Sequence, residues 1–108
     1  MRLRDLEPQF LRRKSPREWQ NVDSIEEADG IFFLCPKCFA ANGGAIGTHG
    51  VMCWRPHVPQ DTPPTPGRWE FEGTGYGDLT LVAGSSSVLL TSGCMAHFFV
   101  RAGAIFGC

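Results

Sequence analysis

The sequence predicts a small, mainly β fold of antiparallel sheets, with short helical turns near the N-terminus. Three observations carry that expectation. From residue 31 onwards the chain is a series of short runs of β-branched and aromatic residues, the types that fit a pleated, half-buried surface. Turn formers separate the runs, with 13 Gly and 8 Pro among the residues. At 108 residues there is room for one core and none for a cleft between two lobes.

In chain order, residues 1–30 read as a basic arm packed on the same domain, an entry strand followed by two helical turns. Ser15-Pro16-Arg17-Glu18 offers an N-cap serine, a proline at the first helical position and a glutamate placed to close a capping box. Ser24-Ile25-Glu26-Glu27 repeats the pattern, and Gly30 supplies the stop. Each helix holds a turn or two and builds no core alone.

Residues 31–108 read as the β domain. Ile31-Phe32-Phe33-Leu34 is a continuous apolar run that suits a strand buried on both faces, and it delivers the chain into Cys35. Further strands fall at Val51-Met52-Cys53-Trp54, Trp69-Glu70-Phe71-Glu72, Leu79-Thr80-Leu81-Val82, Val88-Leu89-Leu90-Thr91 and His97-Phe98-Phe99-Val100. Gly73-Thr74-Gly75-Tyr76-Gly77-Asp78 makes a long hairpin turn whose glycines take positive φ, and Arg101-Ala102-Gly103-Ala104 a tight turn into a last strand at Ile105-Phe106. Two stretches resist regular structure. Residues 55–67 carry Pro56, Pro59, Pro63, Pro64 and Pro66, and residues 40–50 carry Gly43, Gly44, Gly47 and Gly50.

With 43% apolar and 19% charged residues and a net charge of −1, the chain is neither a disordered segment nor a strongly basic nucleic-acid binder. No apolar run approaches the roughly 18 residues a membrane span needs, and no secretory apolar region follows Met1-Arg2-Leu3-Arg4, which points to a cytoplasmic protein. Charge is unevenly spread. Arg2, Arg4, Arg12, Arg13, Lys14 and Arg17 face Asp5 and Glu7 in the first 17 residues, a surplus of four positive charges on a body with a surplus of five negative ones. Such an arm can steer towards nucleic acid or an acidic partner, but no aromatic residue interleaves with Arg12-Arg13-Lys14, so a solvated face is the favoured reading.

Chemistry concentrates in the cysteines. Cys35-Pro36-Lys37-Cys38 is a CxxC at a strand end, and Cys94-Met95-Ala96-His97 is a CxxH. Two-residue spacing lets both side chains of a knuckle point at one ion, and two knuckles complete a tetrahedron, so Cys35, Cys38, Cys94 and His97 form a candidate Cys3His zinc site. Iron accepts the same donors. A redox dithiol is the competing reading, but such a motif opens a helix, and no helical period follows Cys38. A clip closing so long a segment suits a small domain rich in Gly and Pro. With four protein ligands the metal would be structural, with no open position for a catalytic water.

His49, Cys53 and His57 form a second set at spacings of four, in a strand-like and then Pro-rich context where they do not converge. Cys53 reads as a small buried hydrophobe; as a nucleophile it would need a thiolate-stabilising neighbour such as Arg55, His49 or His57. Cys108 reads as a frayed, free thiol. Trp54 and Trp69, with Phe71 and Tyr76, read as an aromatic cluster beside the Pro-rich loop, core in the simpler view and a cage for a cation or a Pro-rich peptide in the sharper one.

These residues also carry a resemblance. Ala28-Asp29-Gly30-Ile31, Phe33-Leu34-Cys35-Pro36-Lys37-Cys38-Phe39, Gly47-Thr48-His49, Cys53-Trp54, Gly67-Arg68-Trp69, Gly73-Thr74-Gly75, Asp78-Leu79-Thr80-Leu81 and Gly93-Cys94 with His97-Phe98 resemble a family of small proteins encoded by bacteriophages, prophages and their bacterial hosts. That resemblance spans about residues 28–105 and implies a zinc-type site at Cys35, Cys38, Cys94 and His97, with no reaction attached to it. In place of the family's aromatic residue before the histidine this chain has Ala96. At the level of fold alone the chain is similar to β-tent zinc domains, which include methionine sulfoxide reductases of the B type and modules with tryptophan cages; no cysteine here sits in a recognisable reductase motif. The expectation is therefore a zinc-clasped accessory protein that binds a host or phage protein through its basic arm and Pro-rich loop. A thiol-redox or reductase-like enzyme and a nucleic-acid binder using Arg12, Arg13 and Lys14 are the alternatives.

Overall fold

The computed structural model describes residues 1–65, 67–82, 87–89, 94 and 96–107. They form antiparallel sheets with one short α-helix and one 3-10 turn at Leu3–Leu6. Strands β1 (Gln9–Ser15), β2 (Glu18–Val22), β3 (Gly30–Leu34) and β4 (Gly50–Trp54) make one sheet in the order β2-β1-β3-β4. Strands β5 (Glu70–Glu72) and β6 (Thr80–Val82) pair as a hairpin, and β7 (Ser87–Leu89), β8 (His97–Arg101) and β9 (Ala104–Gly107) form a three-stranded sheet. The helix α1 (Pro36–Asn42) follows β3 directly.

β2 is the exposed edge of the first sheet, whereas β3, β4 and the start of β1 carry buried residues on both faces and sort between two cores by the period of two. In one register row Phe10 stands beside Ile31 and Ile31 beside Cys53; these residues, with Phe33 and Val51, face the main core. That core also takes Leu3, Leu6, Leu79, Leu81, Phe98 and Val100 from the rest of the chain. In the next row Leu11, Gly30 and Trp54 face a smaller core with Val58. Gly30 is required there by space, because a Cβ would lie 2.4 Å from Trp54 Cε3. The 3-10 turn plugs the main core with Leu3 and Leu6, and backbone bonds from Leu3 to Gly103 (2.8 Å) and from Ile105 to Met1 (2.8 Å) tie it to the β8–β9 hairpin.

The N-terminal helical element therefore lies earlier than the sequence predicted. Ser15-Pro16-Arg17-Glu18 is the turn joining β1 to β2, not a helix. A serine followed by proline suits the start of a tight turn as well as a helix start, and a lone two-turn helix would have forfeited the ladder that places β1 between two partners. Ser24 and Glu27 do exchange side-chain and backbone hydrogen bonds (3.0 and 3.4 Å), but these close one turn only. From β3 onwards the expected strands are present. The outer half of the expected strand at Leu90-Thr91 lies outside the described residues, as do Pro66 and Cys108. Gly73 alone of the three glycines in its hairpin turn takes positive φ; Asp78 closes the turn by accepting from the Thr74 and Gly75 amides at 2.9 Å, which holds its carboxyl below the ordinary range.

The Pro-rich loop is ordered by one arginine. Prolines lack the N–H that would satisfy neighbouring carbonyls. The Arg68 guanidinium supplies donors instead, reaching the carbonyls of Val58 (2.9 Å), Pro59 (2.6 Å), Thr62 (3.0 Å), Pro64 (2.8 Å) and Gly67 (2.9 Å). Trp54 Nε1 donates to Pro63 O at 2.9 Å and fastens the same loop to the smaller core. Replacing Arg68 by Ala is expected to lower stability by about 2–3 kcal/mol, with Lys recovering little because an ammonium cannot fork to several carbonyls. Urea midpoints of the three proteins measure this; equal midpoints would contradict it.

Candidate metal centre

The functional cluster is built at the end of the β3–β4 ladder. Leu34 pairs with Gly50, and the register continues one step further, where the Cys35 amide donates to the His49 carbonyl at 2.9 Å. Cys35 and His49 thus leave the sheet as cross-strand neighbours. The chain then turns into α1: Cys35 is the extended N-cap residue, Pro36 opens the helix, and Gly43 ends it in the left-handed region at φ 69°. One helical turn carries Cys38 back beside Cys35. This helix was not legible after Cys38, since Phe39-Ala40-Ala41-Asn42 has no room for an amphipathic period; its signals are the proline and glycine at its ends.

The third segment is the approach to β8. Lys37 Nζ donates to the Cys94 carbonyl at 2.7 Å and holds that segment against α1. The result is a cluster of Cys35, Cys38, His49 and Cys94 whose ligand atoms all lie within 4.8 Å of one another. Cys35 Sγ stands 3.6 Å from Cys94 Sγ, and His49 Nε2 3.3 Å from Cys94 Sγ. A tetrahedral zinc with bonds of about 2.3 Å to sulfur has sulfur–sulfur edges of about 3.8 Å, so the donor set fits the ion in both spacing and chemistry. Cys35 is buried, Cys38 and Cys94 are half-buried, and His49 forms the exposed corner.

The histidine that joins the three cysteines in this group is therefore His49 and not His97. His97 begins β8 with its side chain exposed, its ring 5.9 Å from that of Phe99, and it is outside the cluster. The CxxH spacing misled because Ala96 is buried in the main core while the next residue along the strand faces outwards. Met95 and Gly93 of that motif lie outside the described residues. The signal that identifies His49 is the hairpin register of Ile31-Phe32-Phe33-Leu34 against Val51-Met52-Cys53-Trp54.

Second-sphere contacts orient the imidazole. His49 Nδ1 lies 3.2 Å from Gly50 O; a carbonyl only accepts, so Nδ1 carries a proton, which leaves Nε2 to give its lone pair to an ion or, when protonated, to donate to the Cys94 thiolate. Without metal, the hydrogen bond with His49 pulls the Cys94 thiol down to about 6, and the same contact raises His49 above the usual imidazole value. Cys38 is pushed up to about 11, first by its hydrogen bond to Cys94 and then by desolvation and Cys35.

The remaining candidates lie elsewhere. Cys53 faces the main core, where burial pushes its thiol well above the usual range, and His57 Nε2 sits 2.8 Å from Asp29 Oδ1, so His49, Cys53 and His57 do not converge. Trp54 is wholly enclosed and offers no face to a ligand, while half-buried Trp69 packs against the other core; the aromatic residues do not gather into one cage. Tyr76 instead stacks on Phe10 at 4.4 Å and Arg55 covers Phe71 at 4.7 Å. Of the basic run, Arg12 pairs with Glu27 at 3.5 Å, Arg13 binds Asp61 at 3.3 Å and also Thr62, and Lys14 is exposed. Among the described residues no helix is long and apolar enough to cross a membrane. Comparison with protein-family models, curated proteins and solved structures returns no match.

Two histidine variants separate the candidate donors. His49→Ala is expected to weaken zinc binding by more than the roughly 10- to 100-fold that loss of an outer-shell partner costs, and His97→Ala to leave it unchanged. A competing chromogenic chelator reads both. The same titration gives the pH dependence, because thiolates and neutral imidazole are the binding forms. Zinc displaces the Cys38 proton at any pH below about 11, the His49 proton below its raised value, and the Cys94 proton only below about 6. Affinity should therefore fall with falling pH and fall more steeply near and below 6.

Proposed function

We propose that this chain is a zinc-clasped binding module in which the ion is structural and the surfaces it organises recognise another protein. The single observation that carries the reading is the convergence of Cys35, Cys38, His49 and Cys94 from three separate segments. Four protein donors complete a tetrahedral shell, which suits a closed structural site. The segments joined are the β3–α1 corner, the loop entering β4 and the approach to β8, so the ion would span two sheets that share no strand among the described residues. Thiolate-rich zinc sites also suit a reducing compartment, and with the resemblance to phage and prophage proteins this supports an accessory protein acting in the cytoplasm of a bacterial host.

A protein partner is favoured over nucleic acid because two cations of the basic run are already paired with carboxylates. A thiol-redox centre at the same residues is the second reading. It is favoured by the opening of α1 at the CxxC and by the Cys94 thiol lying at about 6.

Elemental analysis of protein purified without added metal, wild type beside Cys94→Ser, decides between them. The binding-module reading expects one equivalent of zinc in the wild type and loss of both metal and cooperative unfolding in the variant. Metal-free protein with Cys35 and Cys38 joined in a disulfide would overturn it in favour of the redox reading.

A further inference from the structure

The cluster joins sulfurs of unequal access, and that asymmetry bears on how the clasp could be opened. Cys35, the N-cap residue of α1, is buried in the main core, whereas Cys94 is half-buried on the approach to β8, and their sulfurs stand 3.6 Å apart. A disulfide needs about 2.05 Å, so the two must close by about 1.5 Å once no ion stands between them. His49 is the exposed corner and sits on residues 43–49, a loop that carries the almost fully exposed Ile46 (94%).

Resting on the zinc reading above, we propose that Cys94 and Cys35 are a peroxide-modification site at which the metal clasp is exchanged for a Cys35–Cys94 disulfide. The half-buried Cys94 sulfur attacks the O–O bond of a hydroperoxide, taking one oxygen as a sulfenic acid while the other leaves as water or an alcohol. The Cys35 thiolate then attacks the Cys94 sulfur, forming the S–S bond and expelling hydroxide, which leaves as water after protonation. Two electrons pass from the sulfurs to the peroxide, and two protons are consumed from solvent. Only Cys38 and His49 remain as donors, too few for a closed zinc site, so the ion departs.

The consequence differs from simple loss of the metal. The disulfide keeps the β3–α1 corner joined to the approach to β8, so the two sheets stay linked. Residues 43–49 keep the backbone bond from the Cys35 amide to the His49 carbonyl but lose the side-chain tether that His49 made through the ion, so the loop that carries Ile46 is loosened. Peroxide would thus change one surface of a protein that remains folded.

The test uses zinc-loaded, full-length protein treated with hydrogen peroxide. Released zinc is followed with a chromogenic chelator, disulfides are mapped by mass spectrometry after alkylation, and loop exposure is read by hydrogen exchange at residues 43–49. The expected result is one zinc released per Cys35–Cys94 disulfide, faster exchange in the loop with the β3 and β8 amides still protected, and recovery on adding dithiothreitol and zinc. Zinc retained through the treatment, or released with a Cys35–Cys38 or Cys38–Cys94 disulfide, overturns this proposal while leaving the clasp standing. Protein that carries no zinc from the start overturns the clasp and this proposal together. Cys53→Ala serves as a second variant, since a pathway through that buried thiol would be lost there and the proposed one kept.

Discussion

The β3–β4 register is the constraint on which the site depends. It sets Cys35 opposite His49 through a single backbone hydrogen bond, one step beyond the last ladder pair. A slip of β4 by one residue along β3 would send Val51 and Cys53 from the main core to the other face and would part the imidazole from the sulfurs. Burial and the convergence of Cys35, Cys38, His49 and Cys94 therefore require the same alignment. The hydrophobic alternation fixes which residues pair, and the pairing fixes which donors meet.

The rest of the chain supports that hairpin from both sides. Towards the main core, the 3-10 turn, β6 and β8 supply leucines and Phe98, whose ring stands edge-on to Phe33 at 6.0 Å. On the opposite face, Trp54 covers Gly30 and is held by the Pro-rich loop that Arg68 orders. With buried residues on both of its faces, the β3–β4 pair has little freedom to shift its register, so it anchors Cys35 and His49. The approach to β8 has fewer such anchors among the described residues, with Lys37 holding the Cys94 carbonyl. A metal bond to Cys94 has most to add there.

Much of this was legible in the sequence, and what was missed has a common cause. Apolar runs bounded by Gly and Pro identified the strands from β3 onwards, because burial imposes their pattern directly. The N-terminal strands were harder, since Ser15-Pro16-Arg17-Glu18 satisfies the local rules for a helix start and for a turn, and only the long-range pairing of β1 with β3 decides. The three cysteine donors were legible from spacing. The histidine was not, because CxxH spacing describes neighbours along the chain, and the donor comes from across a hairpin. The helix α1 escaped for a related reason: its length is set by Pro36 and Gly43 at its ends and by Cys38 folding back towards Cys35, rather than by a buried stripe of its own.

The central claim is that three sulfurs and the His49 nitrogen make one closed tetrahedral shell. X-ray absorption at the zinc edge of the loaded protein tests it most directly. The account predicts three sulfur neighbours at about 2.3 Å and one nitrogen at about 2.0 Å, with the nitrogen contribution lost in His49→Ala and kept in His97→Ala. A shell of four sulfurs, or one in which an oxygen from water occupies the fourth position in the wild-type protein, would contradict it.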